Sequence, residues 1–196
     1  LVTRGRELPH AVLLTGPKGI GKLMLAHEIA RSLLCVAAEN IPGCNECQGC
    51  HLFSAGNHPD YHLLTNEWTV DTGDPALVAP GERYLAQADA RASDRTKPKR
   101  IIGVNQARAL GEELRSTPHY AGGKVVVIFP ADELNINAAN ALLKVLEEPT
   151  PNTHFLLVTG ALYALPATIR SRCIHYRLPS PARKDSLAWL QVKLSL

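Results

Sequence analysis

Residues 11–34 read AVLLTGPKGIGKLMLAHEIARSLL, and this stretch indicates the fold. A short apolar run, AVLLT, leads into a glycine-rich turn, after which apolar residues recur every three or four positions. This order is typical of a buried strand, a tight turn and an amphipathic helix. Such a turn can bind phosphate through its backbone N–H groups, its lysine and the helix N-terminus. The candidate phosphate-binding residues are Gly16, Gly19, Gly21 and Lys22.

The last position of this loop departs from the pattern G-x-x-x-x-G-K-[ST], because Leu23 stands where a hydroxyl residue belongs. That hydroxyl is a direct magnesium ligand in phosphate-loop enzymes. A carboxylate at the end of a buried strand normally supplies another contact to the metal, but the run KVVVI ends at Phe129 and Pro130. Asp132 and Glu133 follow only in the next turn. We therefore predict a degenerate, vestigial loop that does not bind ATP productively.

Further apolar runs extend the alternation of strands and helices. Four of them predict strands: YHLLT (61–65), KVVVIF (124–129), HFLLVT (154–159) and IHYRL (174–178). Helical periodicity occurs over 22–34, from Val104 to a stop near Pro118, and over 136–147. Strands that alternate with helices predict an α/β fold, with a mostly parallel sheet covered by helices on both faces.

Residues 65–100 interrupt this alternation. They are rich in Asp, Gly, Pro, Ser and charged residues, which predicts a long surface insertion that is mobile at least in part. The alternative is a short helix around GERYLAQADARA (81–92) that packs against the rest of the chain.

Composition restricts the class of protein. The chain has 196 residues, of which 45% are hydrophobic and 5% aromatic, and this predicts a globular domain with an aliphatic core. A formal net charge of +3 is too small to indicate nucleic-acid binding by itself. We expect a cytoplasmic protein without membrane contact, since no apolar run approaches about 18 residues. The chain opens on Leu1 and stops within an amphipathic run, so we expect a fragment trimmed at both ends.

Four of the five cysteines form a cluster with the spacing C-x8-C-x2-C-x2-C. The two consecutive x2 gaps bring three thiolates to one turn, and the fourth comes from the end of the preceding helix. This suits a closed, structural zinc site with four sulfur ligands, and a four-cysteine iron–sulfur cluster is the main alternative. We expect the nearby His51 and His58 to be ordinary surface histidines. The predicted ligands are Cys35, Cys44, Cys47 and Cys50.

Several motifs occur in the order found in one known family. They are GPKGIGK, the four-cysteine insertion, HPDY (58–61), NALLKVLEEP (140–149) and SRC (171–173). In combination they resemble the clamp-loader ATPases of bacterial replication and, more narrowly, the delta-prime subunits of DNA polymerase III. The resemblance covers nearly the whole chain outside 65–100. The gamma/tau motor subunits keep a hydroxyl residue after the lysine and an Asp-Glu pair after the third strand, so Leu23 and Phe129-Pro130 favour the stationary delta-prime subunits.

The resemblance implies the AAA+ form of the phosphate-loop fold. Its core is a three-layer domain with a five-stranded parallel sheet, which would span residues 1–178. A small zinc module, at about 35–58, would follow the first helix. Residues 179–196 would begin a helical lid, and the rest of the lid and the C-terminal collar domain would be absent from this sequence. We therefore expect no full-length oligomerisation from it.

The resemblance also implies a function in DNA replication. The chain would belong to a non-catalytic subunit, without ATPase activity of its own, within the DNA-directed DNA polymerase (nucleotidyltransferase) holoenzyme. It would support loading of the sliding clamp onto primed DNA. Expected partners are the gamma/tau and delta subunits, the sliding clamp and primer-template DNA. In this family the Ser-Arg-Cys arginine reaches the ATP site of an adjacent subunit, which assigns Arg172 as an arginine finger in trans.

Other assignments stay open at this stage. Arg170 is the next candidate for the finger, although an ion pair suits it better. Thr159 matches a polar residue that senses the γ-phosphate, and it equally suits a structural hydroxyl at a strand end. Lys144 is either a DNA contact or a solvated helix lysine. The alternative function is an active gamma/tau-like ATPase whose magnesium is held by Asp132 and water, and a third is a zinc-containing nucleic-acid-binding module.

Overall fold

A computed structural model describes residues 8–37, 43–72, 77–86, 98–120 and 123–194. Its sheet has five strands: β1 (Ala11–Thr15), β2 (Tyr61–Leu64), β3 (Lys124–Ile128), β4 (Thr153–Thr159) and β5 (Ile174–Arg177). All neighbouring strands are parallel, and their order across the sheet is β2-β3-β4-β1-β5. The five apolar runs of the sequence are these five strands, so the predicted α/β fold with a parallel sheet is confirmed.

Eight α-helices are described in these ranges: α1 (Lys22–Leu34), α2 (Gln48–Ser54), α3 (Glu67–Thr72), α4 (Val78–Leu85), α5 (Val104–Glu113), α6 (Ile136–Glu147), α7 (Ala167–Arg170) and α8 (Arg183–Leu194). Two short 3-10 helices, Ala131–Glu133 and Leu162–Ala164, follow β3 and β4. The predicted helices at 22–34 and 136–147 have these bounds in the structure. The helix predicted to start at Val104 is α5.

The central strands are mostly apolar, with polar residues at their ends, because helices cover both faces of the sheet. Successive strand side chains point to opposite faces, so Leu13 packs with α5 and α6 while Leu14 packs with α1. The same division separates Val126 from Val127 in β3. Two apolar clusters therefore lie on either side of the sheet, and the chain forms three layers.

The described part of 65–100 is folded onto the core. Helices α3 and α4 lie here, and the Tyr84 ring is buried while its hydroxyl donates to Glu113 at 2.5 Å. Gly81 lies so close to Val70 that an added Cβ would be 2.7 Å from its methyl carbon. The structure therefore agrees with the alternative sequence interpretation, a short packed helix, rather than with a long surface insertion. Residues 73–76 and 87–97 lie outside the described residues, and the predicted mobility stays a prediction.

After β5 the chain forms α8, whose described side chains are mostly exposed. The division into a core at 1–178 and a lid from 179 stays a prediction. Among the described residues, no helix combines the length and apolar character needed to cross a membrane. The parallel strands end at a common edge of the sheet, where the connections after β1, β3 and β4 meet. In α/β sheets this edge is where ligand sites are built.

Candidate functional site

The phosphate loop lies where the sequence places it, between β1 and α1. It forms one side of a cleft of about 450 Å³, and the 3-10 helix after β3 lines another. Gly19 and Gly21 have φ angles of +80° and +85°, which favour glycine because other residues rarely adopt them. At Gly16 an added Cβ would lie 2.4 Å from the carbonyl oxygen of Leu178, where the chain leaves β5. The loop glycines thus permit both the turn and the close approach of another segment.

The loop lysine is engaged by its own loop. Lys22 is buried, and its Nζ donates to the carbonyl oxygens of Gly16 at 2.8 Å and Pro17 at 2.5 Å. Burial lowers the pKa of Lys22, while the negative charge of Asp132 opposes this effect. The ammonium group that binds phosphate in such loops therefore has two carbonyl partners within the chain.

The next loop residue, Leu23, is partly buried against the apolar cluster on the α1 side of the sheet. It contributes packing and has no oxygen with which to bind a metal. Asp132 accepts a hydrogen bond from the Thr159 hydroxyl at 2.5 Å, and that hydroxyl also accepts the Ala161 N–H at 2.9 Å. Thr159 is fully buried, so the contacts fit the structural interpretation of this strand-end hydroxyl.

Two residues of the cleft wall, Trp68 and Arg100, and a third behind it, Asn66, were not identified from the sequence. Arg100 stacks over the Trp68 ring, with its guanidinium carbon 4.3 Å from the ring centre. The Asn66 side chain donates to Glu133, whose pKa is raised by burial and by Asp132, while Arg100 acts in the opposite direction. All three residues fall in 65–100, which was interpreted as an insertion, and no local pattern distinguishes them there.

The structure brings the four predicted thiolates together, with all four Sγ atoms within 4.8 Å of one another. Individual Sγ–Sγ distances are 3.6 Å for Cys35–Cys44, 3.8 Å for Cys35–Cys47 and 4.0 Å for Cys44–Cys50. Four sulfurs at about 2.3 Å from a tetrahedral zinc ion lie about 3.8 Å apart, so the donor set and spacing fit such an ion. These residues could hold a metal.

Local backbone geometry produces this cluster. An added Cβ on Gly49 would be 2.6 Å from the carbonyl oxygen of Leu34, so only glycine lets α2 pack against the end of α1. The backbone N–H of Cys47 donates to the Cys44 sulfur at 3.2 Å, and that of Cys50 donates to the Cys47 sulfur at 3.4 Å. Burial raises the pKa of Cys47, but hydrogen bonds to its sulfur from the backbone of Cys50 and Val36 and from the neighbouring thiols of Cys44 and Cys50 outweigh it and lower the pKa to about 6.

The two nearby histidines differ. His51 is exposed, as expected, but the expectation that His58 lies on the surface is wrong. His58 is buried, its Nδ1 accepts the backbone N–H of Asp60 at 3.1 Å, and its ring lies 5.3 Å from the ring of Tyr120. Burial lowers its pKa and favours the neutral ring. Neither histidine belongs to the metal-binding group found among the described residues.

Arg172 lies in the turn between α7 and β5. Its guanidinium donates to the Thr168 carbonyl oxygen at 2.7 Å and forms an ion pair with Glu147 at the end of α6. The side chain is 28% exposed. Arg170 lies over Tyr163, 6.0 Å from the ring centre, and no carboxylate of the described residues forms the expected ion pair with it. Lys144 is exposed on α6, as both of its interpretations require.

A family model described as "DNA polymerase III, delta subunit" matches residues 3–182. The chain belongs to this family. It is 39% identical over 181 residues to DNA polymerase III subunit delta' of Pseudomonas aeruginosa, covering 92% of this chain and 46% of that protein. It is 34% identical over 188 residues to the same subunit of Escherichia coli, covering 95% of this chain and 47% of that protein. The predicted resemblance to delta-prime subunits is confirmed.

A solved structure supports the fold. The DNA polymerase III gamma subunit-related protein of Thermotoga maritima superposes with a TM-score of 0.56 at 20% identity, covering 94% of this chain and 45% of that one. The predicted three-layer fold with a five-stranded parallel sheet is therefore confirmed. The chain spans about half the length of the curated relatives that it matches.

Proposed function

We propose that the chain is part of a non-catalytic delta-prime subunit of the DNA polymerase III clamp loader. In this role it supports loading of the sliding clamp onto primed DNA, while neighbouring subunits bind and hydrolyse ATP. Its partners are the gamma/tau and delta subunits, the clamp, and the primer-template DNA within the assembled complex. The family and the fold support this proposal.

One observation carries the non-catalytic part of the proposal: the polar groups of the phosphate cleft bind one another. Lys22 donates to carbonyls of its own loop, and Asp132 accepts the Thr159 hydroxyl. Leu23 packs against the core where a magnesium ligand would lie. An ATPase needs these groups directed at the triphosphate and its metal, so the same contacts argue against the alternative of an active gamma/tau-like enzyme.

Calorimetric titration of the full-length subunit with ATP, with and without magnesium, tests this point. We expect weak binding at most, and no increase on adding magnesium, because two contacts to the metal are missing. A gamma/tau subunit serves as the positive control under the same conditions. Tight binding that depends on magnesium would instead support the ATPase alternative.

We further propose that Arg172 acts in trans as an arginine finger on a gamma/tau neighbour. The motif Ser171-Arg172-Cys173 supports this, and so does the surface position of the guanidinium at the end of α7. A fixed planar cation stabilises the charge that develops on a transferred phosphoryl group. In the reconstituted loader, Arg172→Ala should lower ATP turnover by about 10³-fold or more, the range known for such fingers.

The matched control is Arg170→Ala, which removes the same charge two residues away. It should leave turnover within a small factor of the unsubstituted loader. Size-exclusion chromatography should show intact assembly for both variants. Unchanged turnover with Arg172→Ala would remove this assignment.

The four-cysteine cluster is proposed to bind structural zinc through Cys35, Cys44, Cys47 and Cys50. Support comes from the sulfur spacing and from the absence of any non-sulfur member in the group found among the described residues. Four filled positions leave none for a substrate, so zinc here would stabilise the fold. Metal analysis of the purified subunit should find one zinc per chain, whereas iron would support the iron–sulfur alternative.

A further inference from the structure

We infer that Glu147 is a positioning residue that holds Arg172 against its own subunit until a neighbour's triphosphate competes for the guanidinium. This inference rests on the proposed role of Arg172 as an arginine finger. It adds a second residue, on another helix, whose carboxylate controls how often the finger is available.

The contacts around Arg172 support this role. One guanidinium nitrogen donates to the Thr168 carbonyl oxygen at 2.7 Å, and the other binds the Glu147 carboxylate. The Nε atom is buried without a hydrogen-bond partner among the described residues. A finger must direct its guanidinium toward another subunit, so these contacts hold the side chain in a retracted position.

The site of the ion pair attracts a cation for a second reason. Glu147 is the last residue of α6, where the helix dipole places partial negative charge on the free carbonyl groups. The C-terminal end of α7 contributes the Thr168 carbonyl to the same corner. Arg172 therefore rests in a region of negative potential that two helix ends and a carboxylate create together.

This restraint is weak enough to be reversible. The Glu147 side chain is 48% exposed and that of Arg172 is 28% exposed, so water screens the pair. Ion pairs of this exposure change an equilibrium by about fivefold at most. A triphosphate carries several negative charges and can form bidentate hydrogen bonds with arginine. It can therefore displace one carboxylate, and the pair can break and re-form in each cycle.

The experiment is a double-substitution cycle in the reconstituted loader, using Glu147→Gln, Arg172→Ala and the combined variant. Glu147→Gln keeps the shape of the side chain and removes its charge. We expect it to raise kcat for ATP hydrolysis up to about fivefold, since the finger is released more often. The KM for ATP should not rise, because a guanidinium released from Glu147 can only add to the contacts that the neighbour's own loop makes with the nucleotide. A variant that merely damaged folding or assembly would lower kcat instead.

Three controls separate the outcomes. Glu148→Gln removes the adjacent carboxylate, which is not among the described partners of Arg172, and should leave kcat unchanged. Glu147→Asp retains the charge and should restore a rate near that of the unsubstituted loader. In the Arg172→Ala background, Glu147→Gln should have no effect.

Two possible outcomes would overturn the inference. An unchanged or lowered kcat with Glu147→Gln means that the carboxylate does not restrain the finger. An increase that persists in the Arg172→Ala background means that it acts through another group. If Arg172→Ala alone leaves turnover unchanged, the proposed finger itself fails, which is a separate result from either of these.

Discussion

The four-cysteine cluster and the phosphate cleft are both built where a glycine-bearing turn leads into a helix, but their polar groups are satisfied differently. In the cluster, four sulfur atoms lie within 4.8 Å of one another. In the cleft, Lys22 binds Gly16 and Pro17, and Thr159 binds Asp132. The first region thus gathers four sulfur atoms around one point, and the second has its polar groups paired within the chain.

This difference agrees with the proposed zinc site and with the proposed loss of nucleotide binding. Four thiolates this close would repel one another, so full ionisation of the cluster requires a cation at its centre. Burial raises the pKa of Cys50 to about 12, which shows how unfavourable a bare thiolate is there. The cleft has no comparable deficit, because carbonyl and hydroxyl partners already satisfy its lysine and its aspartate. We therefore expect removal of the metal to destabilise the cysteine cluster. The stability of the phosphate cleft should depend little on whether nucleotide is present.

The largest expected effect comes from removing one sulfur ligand. Cys50→Ser should abolish stoichiometric zinc binding and melt the module around α2, since structural zinc contributes on the order of 10 kcal/mol to the folding of small metal sites. Metal analysis and thermal unfolding measure the two results. Cys173→Ser is the control, because Cys173 is buried in the core and does not belong to the cluster. This variant protein should retain its zinc. A Cys50→Ser protein with full zinc content would show that the cluster does not require all four sulfurs.

The sequence alone predicted those parts of both regions whose structure is determined by residues close together in the chain. The loop glycines, the four cysteines and the strands at 11–15 and 124–128 all have local patterns, and the structure places them as expected. Helices α3 and α4 were interpreted as part of an insertion because they are short and lie in a stretch rich in Asp, Gly, Pro and charged residues.

The partners within each site could not be predicted in the same way. Thr159 and Asp132 are 27 residues apart in sequence, and Arg172 and Glu147 are 25 apart. No spacing rule connects such pairs, since the order of strands in the sheet brings them together. The same holds for Arg100 over Trp68 at the cleft wall.

A smaller effect on stability is expected at the contact between α2 and the end of α1, which holds the cluster against the core. Gly49→Ala would place a Cβ 2.6 Å from the Leu34 carbonyl oxygen, and α2 would have to shift away from α1. We expect a loss of about 1–3 kcal/mol in the free energy of unfolding, as for other overpacked sites. Gly111→Ala is the matched control, because no atom lies within 4 Å of its added Cβ and it lies within α5. Gly111→Ala should raise the free energy of unfolding by about 0.5–1 kcal/mol, because alanine favours the helix over glycine. Denaturant unfolding measures both changes and distinguishes the loss at Gly49 from the gain at Gly111.

The internal pairing of the cleft can be tested by removing one hydroxyl. Thr159→Val leaves Asp132 and the Ala161 N–H without this partner, which should cost about 1–3 kcal/mol of unfolding free energy. Thr15→Val is the control, since Thr15 lies beside Thr159 at the end of β1 but its hydroxyl donates over a longer 3.4 Å to Tyr176. Equal losses in urea unfolding for the two variants would mean that the Asp132 contact adds no stability.

The smallest effect is expected from restoring the missing hydroxyl. Leu23→Thr completes the loop pattern but should leave magnesium-dependent ATP affinity unchanged, because Lys22 and Asp132 keep their partners within the chain. The lost apolar burial should lower the free energy of unfolding by about 1 kcal/mol. Calorimetric titration of the variant with ATP and magnesium is the measurement, and Leu25→Thr on the same helix controls for the loss of packing. Tight, magnesium-dependent ATP binding by Leu23→Thr would contradict this prediction. The cleft would then lack only the hydroxyl ligand, and the internal contacts of Lys22 and Asp132 would be too weak to prevent nucleotide binding.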